Sequence, residues 1–198
     1  MLISFKTCNP TEFIQDNGYK ANISIKERAE ALSFLMLDGS SETFMDVMLT
    51  ALIDLVAEGK TITDVRYKGK GARRWFRMVF PPILSPIFFG ILDPHNTLIG
   101  YLVAIQSVIS TTRKALGIAL VKSYRGQGIG YQVFKHVQNN LDKIFQPEIN
   151  ELVVETSRTN LPMMAIAEKL GFVEFHLPQD STWGDPPSDW IRFLWIRP

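Results

Sequence analysis

The 198 residues are 46% hydrophobic and 21% charged, with a formal net charge of +1 and one cysteine, Cys8. This balance excludes an intrinsically disordered chain, which joins low hydrophobicity to high net charge, and a disulfide scaffold, which needs paired cysteines. The longest apolar stretch, Met78 to Leu92, is broken by Pro81, Pro82 and Pro86, so it neither spans a bilayer nor runs as one helix. Met1 to Pro10 lacks the order of basic, apolar and small residues that marks a secretory signal, so the expectation is one globular domain in a reducing cytoplasm with no membrane partner.

Taken in chain order, Leu2 to Lys6 reads as a short strand. Ser24 with Glu27 makes a capping box, and Ile25, Ala29, Leu32 and Met36 then recur at helical spacing, which predicts a first helix ended by Gly39. A second helix is predicted from about Ser41, with Phe44, Val47, Met48, Ala51, Leu52 and Leu55 on one stripe, closed by Gly59. Lys60 to Met78 then gathers Lys60, Arg66, Lys68, Lys70, Arg73, Arg74 and Arg77 against Asp64 alone. A nucleic-acid partner is not expected, because this surplus is confined to one stretch and does not cover a face; a solvated loop is the simpler reading.

From Ile83 the pattern turns to β. Pro86 to Leu92, Thr97 to Val108 and Lys114 to Val121 read as an antiparallel meander, with Asp93-Pro94-His95-Asn96 as its first turn. A helix follows from about Gly130 to Phe145, with Val133, Phe134, Val137, Leu141 and Ile144 inward, and Pro147 stops it. Glu151 to Thr156 is a strand, Leu161 to Leu170 a helix with Gly171 beyond its end, and Phe172 to Leu177 and Trp190 to Ile196 are closing strands. The histidines and the cysteine show no metal-ligand spacing, so no metal is expected.

The segment from Gly117 to Gly130 runs a strand through a glycine-rich turn into an amphipathic helix. Gly126, Gly128 and Gly130 would let successive amides converge on an anion at the positive end of the helix dipole, which points to a pyrophosphate. A dinucleotide fingerprint fails because Tyr131 follows Gly130 where the third glycine should stand, and no P-loop Lys-Ser/Thr pair follows the glycines.

Arg125-Gly126-Gln127-Gly128-Ile129-Gly130 resembles the Arg/Gln-x-x-Gly-x-Gly/Ala loop of the GNAT superfamily of acyl-CoA-dependent N-acyltransferases. Asn160 to Phe172 is similar to that superfamily's Asn-helix-Lys-Leu-Gly-Phe segment, in the matching order and spacing. The resemblance covers about Pro86 to Ile196. It implies an α/β fold with a mixed, centrally splayed sheet flanked by helices, in which 1–80 is a variable helical part and 86–196 the acetyl-CoA-binding core of one domain, 1–198.

What the resemblance implies for chemistry is direct acetyl transfer from acetyl-CoA to a primary amine through a tetrahedral intermediate. Leu120 and Val121 would pair with the pantetheine arm, the Leu120 amide would stabilise the oxyanion, and the loop from Arg125 to Tyr131 would hold the diphosphate. Asn160 would contact the pantetheine arm or a nearby water; from its sequence position it is also an N-cap. Where many members carry a tyrosine, this chain has Ala167, so the acid that protonates the thiolate falls to Ser157, Tyr131 or a water. Glu155 and Glu174 are the candidate bases, acting through water, with His176 the better placed of the histidines; His95 and His136 read as surface residues. A non-catalytic acyl-CoA-binding sensor or interaction module is the alternative. Asp180, Asp185 and Asp189, with Trp183 and Trp190, suit a cationic amine acceptor as well as they suit a solvated loop, and the aromatic stretch from Trp190 to Trp195 offers a surface for a second copy, a homodimer.

Overall fold

The computed structural model describes residues 18–25, 31–37, 86–107, 110–176 and 190–198. They form one eight-stranded sheet: β1 (Lys20–Ile23), β2 (Leu32–Leu37), β3 (Ile87–Leu92), β4 (Leu98–Gln106), β5 (Arg113–Leu120), β6 (Glu151–Ser157), β7 (Val173–Glu174) and β8 (Trp190–Ile196). The spatial order is β1-β2-β3-β4-β5-β6-β8-β7. Every pairing is antiparallel except β5 with β6. A parallel pair needs a crossover, and here it is made by helices α1 (Ile129–Asn139) and α2 (Leu141–Ile144). Helix α3 (Leu161–Lys169) follows β6.

The meander forms as its alternation and turn residues predict. Asn96 takes a left-handed φ of 60°, and the Asp93 carboxylate accepts the His95 and Thr97 amides at 2.9 and 2.8 Å, so the turn is tied by its own first side chain. Val133, Phe134, Val137, Leu141 and Ile144 are all buried, as their spacing requires. The single helix expected from Gly130 to Phe145 is instead two: Asn140 leaves helical geometry at φ −126°, and its side chain caps the His136 carbonyl at 3.0 Å. Phe34 stacks on Phe89 at 4.8 Å between centroids, and Phe134 meets Phe172 edge-on, joining sheet to helices in one core.

The first predicted helix is not formed where the structure describes it. Leu32–Leu37 is a strand between β1 and β3, with Leu32 and Phe34 fully buried. Leu32, Phe34 and Met36 satisfy a two-residue repeat as readily as Leu32 and Met36 satisfy a helical one, and the free margin of β3 decides between them. The N-terminal part is therefore not helical over these residues. The predicted strand at Leu2 to Lys6 and the helix from Ser41 lie outside the described residues. Of the strand expected from Phe172 to Leu177, Val173–Glu174 is strand among the described residues, and Leu177 lies outside them.

The feature that positions the site is the short β5–β6 ladder. It runs from Arg113↔Glu151 to Leu116↔Val154 and stops there. Beyond it, Gly117–Leu120 pair with β4, and Glu155–Ser157 pair with β8. The sheet splays at its centre, beside the start of α1. Among the described residues, no helix is long and apolar enough to cross a membrane.

Candidate functional site

A 3-10 turn, Lys122–Tyr124, carries the chain from β5 into the glycine loop. Gly126 and Gly128 have φ of +73° and +75°, a region that side-chain-bearing residues avoid, and an added Cβ at either would meet no atom within 4 Å. The loop thus presents bare main chain under open space. Gly130 has a different task from the one its place in the triplet suggests: it is helical and buried, and a Cβ there would press on Ile166 Cδ1 at 3.2 Å. It lets α3 pack closely on α1.

The amides of this loop point to its use. The first main-chain amide of α1 with a main-chain acceptor is that of Gln132, which donates to the Gly128 carbonyl at 3.1 Å. Among the described residues, the amides from Gly126 to Tyr131 meet no acceptor. They gather at the positive end of the α1 dipole, an arrangement that binds anions. Side chains hold the loop from behind. Arg125 Nε donates to the Leu120 carbonyl at 2.8 Å, Gln127 Nε2 to the Ser123 carbonyl at 2.7 Å, and Tyr124 Oη to Asp93 Oδ2 at 2.8 Å.

Asp93 was legible only as a turn residue. It is buried, and its second oxygen pins the turn before the loop. Burial works to raise its pKa, but hydrogen bonds from Thr97, Tyr124 and His95, with the His95 charge, overcome this and hold the carboxyl below its ordinary value.

At the splayed margin, Val121 donates its amide to the Ile99 carbonyl and accepts the Tyr124 amide, both at 2.9 Å. Its main chain is fully engaged. Successive residues of a strand aim their main-chain groups to opposite sides, so the Leu120 amide and carbonyl face the splay, as the Arg125 contact with that carbonyl requires.

On the other side of the splay, Glu155 pairs with the buried Arg192 at 3.3 Å. Ser157 is buried, with Oγ 2.9 Å from Thr159 Oγ1 and accepting the Thr159 amide at 3.2 Å. Asn160 begins α3 without a side-chain cap; its Nδ2 donates to Thr156 Oγ1 at 2.9 Å, while its carbonyl accepts the Met163 and Met164 amides. Ala167 is completely buried against the core.

The remaining carboxylate and histidine candidates lie elsewhere. Glu174 pairs with Arg158 at 3.0 Å, and His176 is exposed. His95 sits exposed in its turn. His136 is not a surface residue: it is half-buried, 2.8 Å from the Tyr19 hydroxyl and edge-on to Phe34, and burial, aided by the Lys143 charge, lowers its pKa. No group of three metal-ligating side chains occurs among the described residues. Cys8, the basic stretch from Lys60 to Met78, Asp180, Asp185, Asp189 and Trp183 lie outside them.

A family model described as an acetyltransferase (GNAT) domain matches residues 50–173. No curated protein matches the sequence. Solved structures of similar fold include the spermidine N-acetyltransferase of Vibrio cholerae in complex with CoA and spermine, 14% identical with a TM-score of 0.64 over 84% of this chain and 95% of that one. RimL, the ribosomal L7/L12 alpha-N-protein acetyltransferase in complex with CoA, is 16% identical with a TM-score of 0.61 over 89% and 98%. The GNAT domain of S. lividans PAT is 8% identical with a TM-score of 0.63 over 89% and 96%.

Proposed function

This chain belongs to the GNAT acetyltransferase family, and from that membership we propose that it moves an acetyl group from acetyl-CoA to the primary amine of a cationic acceptor by direct attack. The observation that carries the proposal is the row of acceptor-free amides from Gly126 to Tyr131, set over open space beside the splay. These residues fit a diphosphate: a side chain at Gly126 or Gly128 would fill the place it takes. Acetyl-CoA supplies an acetyl group already activated as a thioester.

The residues of this chain then have separable tasks. The loop amides hold the diphosphate. Leu120, its amide turned into the splay, hydrogen-bonds the thioester carbonyl oxygen as negative charge develops there, a contribution worth about 3 kcal/mol in comparable sites. Val121, with both main-chain groups engaged, frames this margin without pairing to the arm. Asn160 contacts the arm from the start of α3. Glu155, acting through a water, takes the proton released when the amine attacks, and Arg192 fixes its carboxylate. A thiolate is a weak base beside an alkoxide and leaves readily, so a weak donor such as Ser157 or a water suffices where Ala167 offers none.

The acceptor side draws on Asp180, Asp185 and Asp189, which give the segment before β8 a negative field suited to steering an amine-bearing cation. The Vibrio cholerae protein of the same fold was solved with spermine, a polyamine, which agrees with this class of acceptor. A panel of amines incubated with acetyl-CoA and scored by free thiol tests the proposal. Polyamines should release thiol at steady rates; tight CoA binding with no thiol released from any amine would overturn it.

A further inference from the structure

The opening between β5 and β6 can be reached from two faces of the sheet, and among the described residues the helices stand on one of them. Leu116, Leu152 and Val154 pack there into the core with α1 and α2. In a pleated sheet, paired residues project to the same side, and neighbours along a strand project to opposite sides. The pairs Val103↔Gly117, Tyr101↔Ala119 and Ala115↔Val153 therefore share the face turned away from that core. Glu155, two residues past Val153, shares it too, paired there with Arg192. The β5–β6 ladder ends at Leu116↔Val154, so Gly117 and Glu155 are the first residues of this face to stand apart across the opening.

Along this margin β5 carries Ala115, Gly117 and Ala119, with no side chain larger than a methyl. Gly117 is partly exposed, and of the described residues only Val103 comes within 4 Å of a Cβ built on it, with Cγ1 at 3.2 Å. The result is a narrow hollow with Val103 as one wall and Glu155 on its far side. Small residues alone would not make a site; the independent sign is Tyr101, opposite Ala119. Tyr101 is only 5% exposed, yet among the described residues no hydrogen bond reaches its hydroxyl. Burial alone raises its pKa and keeps it protonated. The flank over Gly90, its partner on β3, is closed, since a Cβ there would meet Leu37 Cδ1 at 2.9 Å and Leu98 Cδ1 at 3.0 Å. The flank over Ala119 is left to the phenol. A buried hydroxyl without a partner is costly, and a ligand in the hollow removes that cost.

Apolar walls, one hydroxyl and one carboxylate suit a methylene chain that ends in an amine. The chain lies on Val103 and the alanines, and the nitrogen meets the Tyr101 hydroxyl beside Glu155. A carbon branched next to the nitrogen needs the room that Val103 takes. We propose that the acceptor amine enters through this hollow, bonded to Tyr101, and that the narrow space between Val103 and Gly117 restricts acceptors to –CH2–NH2 ends, against amines on branched carbons. The inference rests on the reading of the chain as an acetyltransferase and adds where the acceptor enters and what shape it has.

A matched pair of dications tests it: 1,4-diaminobutane and 2,5-diaminohexane, which has the same chain with a methyl beside each nitrogen. Thiol release from acetyl-CoA is measured for the wild type, Val103→Ala and Tyr101→Phe, and CoA affinity by calorimetry. The wild type should favour the unbranched diamine by ~10-fold or more in kcat/KM, the scale on which a pocket resolves one methyl group. Val103→Ala should admit the branched diamine and bring the two within ~3-fold of each other. Should Val103→Ala not fold, Gly117→Ala narrows the hollow from the other wall and should lower use of the unbranched diamine by ~10-fold or more. Tyr101→Phe should raise the KM of the unbranched diamine by ~10-fold or more while its Kd for CoA stays within ~3-fold, a split that a purely structural role would not produce. Equal use of the two diamines by the wild type, a preference that survives Val103→Ala, or a wild-type KM in Tyr101→Phe would overturn the inference and leave acetyl transfer intact. So would turnover of other amines with neither diamine used. Bound CoA with no thiol released from any amine would overturn both.

Discussion

Replacing Gly128 by alanine separates the loop's conformational role from its binding role. The residue has φ +75°, and a Cβ built there touches nothing within 4 Å, so the substitution creates no clash inside the protein. Its cost to folding is the left-handed penalty of an alanine, roughly 1–2 kcal/mol. For a domain of this size, that lowers Tm by about 3 °C for each kcal/mol. Its cost to binding is larger, because the methyl stands where the diphosphate must approach the amides. Each charge-assisted hydrogen bond lost is worth about 1.5–3 kcal/mol, so losing two lowers CoA affinity by at least ~100-fold. Gly171 supplies the control, with φ +77° and equally empty surroundings, but at the end of α3. Gly171→Ala should cost the same in Tm and change the Kd for CoA by no more than ~3-fold. Thermal melts and titration calorimetry on both variants read the two effects. If Gly128→Ala keeps wild-type affinity, or the two variants lose affinity equally, the diphosphate does not sit on this loop.

Three further outcomes follow from the same geometry. Leu120→Pro removes an amide that faces the splay and not β4, so kcat should fall by ~100-fold or more with the fold retained; an unchanged kcat would falsify the oxyanion role. Glu155→Gln should lower kcat/KM by ~100-fold or more, whereas a folded variant with unchanged kcat/KM makes Glu155 a partner of Arg192 only. Asp93→Asn should lower stability by about 1–3 kcal/mol near neutral pH. Because the folded-state pKa of Asp93 is depressed, its contribution is complete above the ordinary carboxyl value of about 3.9 and disappears as pH falls through the lower folded value. The gap in Tm between the two proteins should therefore narrow as pH falls through the acid range; a gap that stays constant down to acid unfolding removes Asp93 from the account.

The sequence was legible where one physical signal dominated. The meander from Ile87 to Leu120 alternates cleanly around a turn whose Asp and Asn have specific work to do, and it formed with bounds shifted by one or two residues. The glycine loop was legible for the same reason, since two of its glycines take conformations that other residues avoid. Gly130 was misread because its constraint comes from Ile166, thirty-six residues away in the chain. The stretch Leu32–Leu37 is rich in Leu and Met, good helix formers, and became a strand only because β3 offered it a margin. The Asp93–Tyr124 bond, the Tyr19–His136 bond and the Glu155–Arg192 pair each join residues distant in sequence, and no local pattern announces them.

The seam between β5 and β6 has a consequence for the working cycle. It is fastened over Arg113–Leu116 and Glu151–Val154, with Arg113 and Glu151 clasped at 2.6 Å at the closed end. The sheet is thereby two plates riveted along one short edge and ajar at the other. On the proposed reading, an extended, amide-bearing molecule bound in the gap would add a temporary strand to the described sheet, so the reagent would also serve as a structural part, and each turnover would dismantle and rebuild a piece of the architecture.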